Sequence, residues 1–539
     1  MSGDKIVLPP TYYLTYFEYL ITFIKQRSGF LLRDCDRLFI DRFNQLSKDA
    51  KCLYIRFINR KGPFFRASRI RYEEIEDIPA ALQELEENDF LLLPQKDDYE
   101  VISLFTRSEL IDLFDLPGTF RKNELIDAVC GREDWLQMLL ATDSLVAPAH
   151  TDEVEYLKLL FFGKYKTPMT EFVIRDVGNI HLESLDEKKL TPWFESKEEA
   201  TAVFELSKLK KIVRQALPVF PPDQLDVLLS IIDWPRIRKL KKAIPLAEKI
   251  LLEASAQLER DGAPDLALKY YRFTDRPPSR ERQIRIMDAM GYSERAIELA
   301  EEVSKSYRNA TEHTFARDFL NRPKKRINRS TTKRIESAEH IRLFYQPGIS
   351  IEKQVLAYYE SQGIQGMHSE NYIWKNAFGL LFWDDLYDQD KQRYHHPLQR
   401  ISEDLYDSPS MTEKISLFEE TLDRYRSKKK LLALLDQRIE RKFGLANPFV
   451  YWHPEIKKHM SLLFKHVPLK GIKNVLLEMP KNLKENCTGF PDLFLWTEDR
   501  YWFYEVKSPN DQLSAQQLFW LNFMNEVGIN SNVLKVGIS

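Results

Sequence analysis

The stretch Gly489–Ser514, GFPDLFLWTEDRYWFYEVKSPNDQLS, decides how the C-terminal part of this chain is built. Two aromatic and aliphatic runs, PDLFLW and RYWFYEVK, flank the polar Thr497-Glu498-Asp499-Arg500 and read as a β-hairpin. Side chains alternate faces along a strand. Glu505 and Lys507 therefore share one face while Val506 turns away, and Asp492, at the start of the first strand, lands across from them. Two carboxylates and an ammonium thus gather at one edge. That grouping suits Mg²⁺ or Mn²⁺, which take carboxylate and water oxygens and leave positions open for phosphate. The chemistry it points to is hydrolysis of a phosphodiester by water attacking in line, with the cation and the lysine offsetting the developing charge. Glu-x-Lys alternation also occurs on ordinary exposed strand faces, so the surrounding sequence has to carry the reading.

The 539 residues are too many for one hydrophobic core and suggest three or four domains. Lys plus Arg number 79 against 81 for Asp plus Glu, so any nucleic-acid contact must use positive charge segregated onto a face or groove. No apolar run of about 18 residues predicts a membrane span, and MSGDKIVLPP has no signal-peptide pattern. Cys35, Cys52, Cys130 and Cys487 lie far apart with no CxxC pair, which predicts free thiols in a reducing compartment. There is no GxxxxGK[ST] loop, hence no sign of intrinsic ATP use.

Four regions follow. Residues 1–100 read helix, helix, strand, strand, helix, strand, with CLYIRFINRKG and FFRASRIRY as strands. A winged-helix-like α+β module fits, as does a scaffold without DNA contact. In 101–150, SLFTRSELIDLFDLPGTFRKNELIDAVCG places Arg121 and Lys122 at the start of the second of two short amphipathic helices. It resembles the SAP motif, which binds duplex DNA; basic residues at a helix start suit phosphate. An ordinary helical hairpin is the plainer alternative. Residues 151–345 look helical. Ala267 in DLALKYYRFTD and Ala296 in ERAIELAEE occupy equivalent points of two similar helices, as in tetratricopeptide-like repeats or a plain bundle. The basic run RPKKRINRSTTKR offers Lys324, Lys325 and Arg326 to phosphate, or is a solvated loop. Residues 346–539 read as an α/β domain with strands NVLLEMP, PDLFLW and RYWFYEVK, a long helix NYIWKNAFGLLFWDDLYD before them, and SAQQLFWLNFMNEVG after. Trp374, Trp383 and Trp520 are expected in the core rather than stacked on bases. The fold class is multidomain and mainly α, with α+β ends.

GFPDLFLW…EVKSPNDQLSAQQLFWL resembles the VRR-type nuclease domain of the PD-(D/E)xK superfamily, and more narrowly the Fanconi-associated nuclease family. Ser508 stands where that family usually has glycine. LLFFGKYKTPMTEFVIRDVG and SENYIWKNAFGLLFWDDLY resemble two further family stretches in the family's order, so the likeness spans roughly residue 100 to the C-terminus. The resemblance implies Asp492, Glu505 and Lys507 as the catalytic set and Glu370 as a further metal ligand. It also implies the Val506 carbonyl in the metal shell, Gln517 supporting the site, and Lys484 near the substrate's terminal phosphate. It implies a structure-selective nuclease that cuts near 5′ flaps on branched or flapped duplex DNA, resects 5′ to 3′ and serves interstrand-crosslink repair. A junction-resolvase-type nuclease and a catalytically dead scaffold are the alternatives. No Cys/His cluster matches the ubiquitin-binding zinc finger of animal members, so a bacterial-type member is expected. Its location would be cytoplasmic with the nucleoid, or nuclear if the source is eukaryotic.

Overall fold

The computed structural model describes residues 8–60, 62–178, 181–322, 329–344, 346–406 and 408–538, which divide into two compact units. Unit 1 holds residues 1–179 and 191–204; unit 2 holds 180–190 and 205–539.

In unit 1, the helices Tyr12–Arg27, Asp34–Gln45 and Lys48–Asn59 precede a small antiparallel sheet. Its strands are β1 (Phe65–Arg66), β2 (Leu91–Leu92) and β3 (Leu145–Pro148), in the order β1-β3-β2. The strand expected over Cys52–Gly62 is instead helical as far as Asn59. Ser47 caps that helix by accepting from the Ala50 N–H, and Ala50, Cys52, Leu53, Tyr54, Ile55 and Phe57 are all buried. A helix buried on most sides shows little polar periodicity, and its aromatic and branched residues then imitate a strand. The expected second strand shrinks to Phe65–Arg66, followed by a single turn over Ala67–Arg69. The paired helices Arg107–Phe114 and Lys122–Cys130 do form: Thr106 and Glu109 make a capping box at the first, and at the second Glu124 accepts from the Arg121 backbone N–H.

Unit 2 contains helical hairpins, Ile244–Arg260 with Pro264–Tyr271 and Ser279–Ala289 with Ser293–Lys305. Ala267 and Ala296 are fully buried at matching points of the second helix of each pair, where a small side chain lets the helices close on one another. A buried ion pair ties the second hairpin to the helix Ala310–Leu320: the Arg280 guanidinium meets the Glu312 carboxylate at 2.6 Å.

The C-terminal sheet has five strands: β4 (Glu339–Leu343), β5 (Gln365–His368), β6 (Leu493–Trp496), β7 (Tyr501–Lys507) and β8 (Ser531–Ile538). They run β4-β8-β7-β6-β5, with β4, β8 and β7 mutually parallel and β6 antiparallel to both β7 and β5. The Thr497 N–H bonds the Arg500 carbonyl at 2.8 Å and closes the β6–β7 turn. Phe494 and Phe503 lie in register and pack with Trp374, Phe490 and Trp520 on one face. Leu493, Leu495, Tyr504 and Val506 pack with Val355 and Tyr359 on the other. All three tryptophans, Trp374, Trp383 and Trp520, are fully buried.

Two expectations change here. NVLLEMP is not a strand: Leu469–Glu478 is a helix, with Ile472, Val475 and Leu476 buried at helical spacing and Met479 continuing the stripe. The long helix of NYIWKNAFGLLFWDDLYD is two, Tyr372–Leu381 and Trp383–Tyr387, parted at Phe382. Within the first, a Cβ on Gly379 would sit 2.8 Å from Phe449 and 2.7 Å from Val450, so only glycine admits that crossing chain. Among the described residues, no helix is long and apolar enough to cross a membrane.

Candidate active site

The register of β6 and β7 makes the site. Leu493 pairs with Tyr504, so Asp492, one residue before β6, faces Glu505 one residue further along β7. The Asp492 carbonyl accepts from the backbone N–H groups of Ser369 (2.7 Å) and Glu370 (3.1 Å), and the Ser369 hydroxyl donates to the Pro491 carbonyl at 3.0 Å. These bonds lash the end of β5 and the approach to the helix Tyr372–Leu381 against the Pro-Asp corner. Gly489 helps to shape that corner: its φ of +85° and a Cβ position 2.8 Å from Gln516 both exclude a side chain.

The polar groups then interlock. One Asp492 oxygen, Oδ2, accepts from the Val506 N–H at 2.8 Å. Glu505 Oε1 accepts from Gln517 Nε2 at 2.6 Å and lies 3.0 Å from the Lys507 ammonium. Gln517 Oε1 accepts from Lys507 Nζ at 3.1 Å and from the Ser514 N–H at 2.9 Å. Gln517 occupies the third position of the helix Ala515–Glu526, whose cap is Ser514, so a capping box doubles as the bracket that holds Glu505 and Lys507. Glu505 and Lys507 are buried. Val506 turns its side chain into the opposite core, leaving its backbone as the part that belongs to this edge.

Burial dominates the electrostatics. It pushes the Asp492 carboxyl up to about 6 against the lowering effects of the Val506 N–H and the Lys507 charge, with Glu352 and Glu370 adding to the rise. It pushes Glu505 up to about 8, with Asp492 raising it further and Lys507 opposing. Glu505 Oε2 is buried with no hydrogen-bond partner among the described residues. An orphaned carboxylate oxygen beside two more carboxylates and a single ammonium is what a divalent cation would satisfy, by ligation and by charge.

Glu370 is exposed at the mouth. Its ligand atoms lie within 4.8 Å of those of Asp492 and of His368, a residue that the sequence reading passed over. The structure therefore brings Glu370, Asp492, Glu505, Lys507, Val506 and Gln517 into one neighbourhood. Lys484 belongs to another charge group. It is exposed on the turn Leu483–Asn486, and with Arg276 and Lys210 it presses the Lys249 ammonium below its ordinary value, burial being the larger cause. Arg121 and Lys122 are exposed in unit 1, where the Lys122 ammonium donates to the Ser103 carbonyl at 2.9 Å. Lys324, Lys325 and Arg326 lie outside the described residues.

Known proteins match at both ends and throughout. The family description "FAN1, HTH domain" fits residues 11–92, and "VRR-NUC domain" fits residues 426–537. A Fanconi-associated nuclease 1 homolog of Pseudomonas aeruginosa is 28% identical, over 96% of this chain and 94% of its own. One from Arabidopsis thaliana is 23% identical, over 99% of this chain and 68% of its own. A crystal structure of paFAN1 bound to 2-nt 5′-flap DNA with a gap superposes with a TM-score of 0.85 at 25% identity, covering 99% of each chain. Carboxylates and lysine set on this sheet, with such relatives, define a nuclease of the PD-(D/E)xK class, a phosphodiesterase that depends on a divalent metal ion. The chain resembles the Fanconi-associated nuclease family at both ends and along its whole length.

Proposed function

We propose that this chain is a structure-selective DNA nuclease. It cuts beside 5′ flaps, resects duplex 5′ to 3′ and serves the removal of interstrand crosslinks, using Mg²⁺ or Mn²⁺. The observation that carries the reading is the convergence of Asp492, Glu505, Lys507 and Glu370 at one sheet edge, within a fold that matches flap-bound paFAN1 along its whole length.

Asp492, Glu505, Glu370 and the Val506 carbonyl would hold the ion. When bound, it supplies Lewis acidity to the scissile phosphate and to an attacking water. Lys507, buried against Glu505, points a fixed positive charge at the place where charge grows as the new P–O bond forms and the old one breaks. Gln517 acts through both: its amide donates to Glu505 and accepts from Lys507, so neither side chain can swing out of line. Duplex DNA is gripped through phosphates, which position without reading sequence. Arg121 and Lys122 serve in unit 1, Lys484 with its basic neighbours serves near the terminal phosphate, and Lys324, Lys325 and Arg326 serve from the basic run.

The test is end-labelled cleavage of matched 5′-flap, 3′-flap, four-way-junction and single-stranded DNA, with Mn²⁺ and with EDTA. Strong preference for the 5′ flap, dependent on the ion, is expected. Asp492→Asn and Lys507→Ala should each lose about 10²–10³ in rate while keeping flap binding. Paired symmetric cuts in the four-way junction would favour a resolvase, and full activity in EDTA or in either variant would overturn the site.

A further inference from the structure

We propose that His368 gives an imidazole nitrogen to the cation held at Glu370 and Asp492, and so tilts the site toward Mn²⁺ over Mg²⁺. The inference rests on the divalent-ion reading above. His368 is the last residue of β5 and pairs with Leu493, which puts it at the same end of the sheet as Asp492. The next two residues both donate their N–H groups to the Asp492 carbonyl, so the distance between the histidine and the aspartate is set by backbone and not by a mobile loop. The imidazole Nε2 lies 3.9 Å from Glu370 Oε2. That is too long for a hydrogen bond, and it falls inside the ~4.2 Å that two donors can span when each sits about 2.1 Å from a shared ion.

No structural task competes for the ring. Among the described residues it makes no hydrogen bond and no aromatic stack, its side chain is 49% exposed, and Glu370 is its charged neighbour. Asp492 and Glu370 offer hard oxygen donors, which Mg²⁺ accepts readily. A nitrogen donor adds little for Mg²⁺, but it adds affinity along the transition-metal series. The same three residues therefore form a site that still takes Mg²⁺ and discriminates by its one borderline ligand.

The experiment uses the full chain, stripped with EDTA and titrated with MnCl₂ or MgCl₂. Calorimetry reads affinity, and electron spin-echo modulation of bound Mn²⁺ reads directly coordinated ¹⁴N. Wild type should show the ¹⁴N modulation. His368→Ala should abolish it, weaken Mn²⁺ about tenfold and leave Mg²⁺ within about twofold. His368→Asp should restore affinity while moving the Mn²⁺/Mg²⁺ ratio toward Mg²⁺. A second imidazole source exists at His453, Glu455 and His459, whose ligand atoms also lie within 4.8 Å of one another; His459→Ala should leave the modulation in place. Mn²⁺ binding and ¹⁴N modulation unchanged in His368→Ala would overturn this inference alone. Failure of the wild type to bind Mn²⁺, or binding untouched by Asp492→Asn, would remove the divalent-ion reading with it.

Discussion

Glu505→Gln should make the ion-free protein more stable and the enzyme inactive, and the gain should grow with pH. Glutamine keeps the geometry: an amide oxygen still accepts from Lys507 and Gln517, and the orphaned Oε2 position becomes an NH₂. Only the capacity to ionise is lost. The Glu505 carboxyl is pushed from 4.5 to about 8, burial being the main cause. Below pH ~4.5 the folded and unfolded wild type both hold the proton, so the two proteins differ little. Above it the unfolded chain ionises while the folded one keeps its proton. Wild-type stability then falls by ~1.4 kcal/mol per pH unit until the folded group itself ionises. Between pH 5.5 and 8 the variant should thus gain on the order of 3 kcal/mol over wild type, which appears as a Tm gap widening by several degrees. Thermal melts in EDTA at three pH values measure it. Adding Mn²⁺ at pH 8 should raise the wild-type Tm and not the variant's, since the ion stabilises only a folded state that can bind it. A gap that does not change with pH, or that narrows as pH rises, would refute the claim that Glu505 is held protonated by burial.

The same carboxyls set two further expectations. Loading an ion held by Asp492 and Glu505 would displace protons from both, since their carboxyls are pushed up to about 6 and about 8. Mn²⁺ affinity should therefore rise from pH 6 to pH 8 with up to about tenfold per unit for each proton released; calorimetry in buffers of differing ionisation enthalpy counts those protons, and a count of zero would contradict the shifts. In unit 1, Arg121→Glu with Lys122→Glu should weaken duplex binding at moderate salt and reduce the salt slope by about 2; an unchanged slope in a filter-binding series would free both residues of a phosphate role.

How much of this was legible in the chain depends on how local each feature is. The β6–β7 hairpin spans a four-residue turn between alternating apolar runs, so its register, and with it Asp492 opposite Glu505 and Lys507, follows from period and turn alone. Ser514 and Gln517 announce themselves as a capping box. The two misread strands, over Cys52–Gly62 and Asn474–Pro480, are short apolar runs whose period can be judged only once the rest of the helix is counted in. β8 lies parallel to β7 beyond the helix Ala515–Glu526, and no turn signal announces a crossover partner.

Glu370 and His368 mark where local reading ends. β5 is Gln-Gly-Met-His, a largely exposed edge strand with no branched residue and a glycine against Leu495, so nothing in its own composition requires a strand. Its conformation is imposed by β6, more than a hundred residues later, through the four pairs from Gln365–Trp496 to His368–Leu493. Glu370 could be named beforehand because the stretch that holds it resembles a known one; His368 could not, because its place is a consequence of strand pairing. This also explains why the site tolerates an exposed, weakly specified edge there. The Asp492 carbonyl takes both N–H groups that follow His368, so the Pro-Asp corner is fixed by main-chain bonds that do not depend on the side chains at 368 and 370.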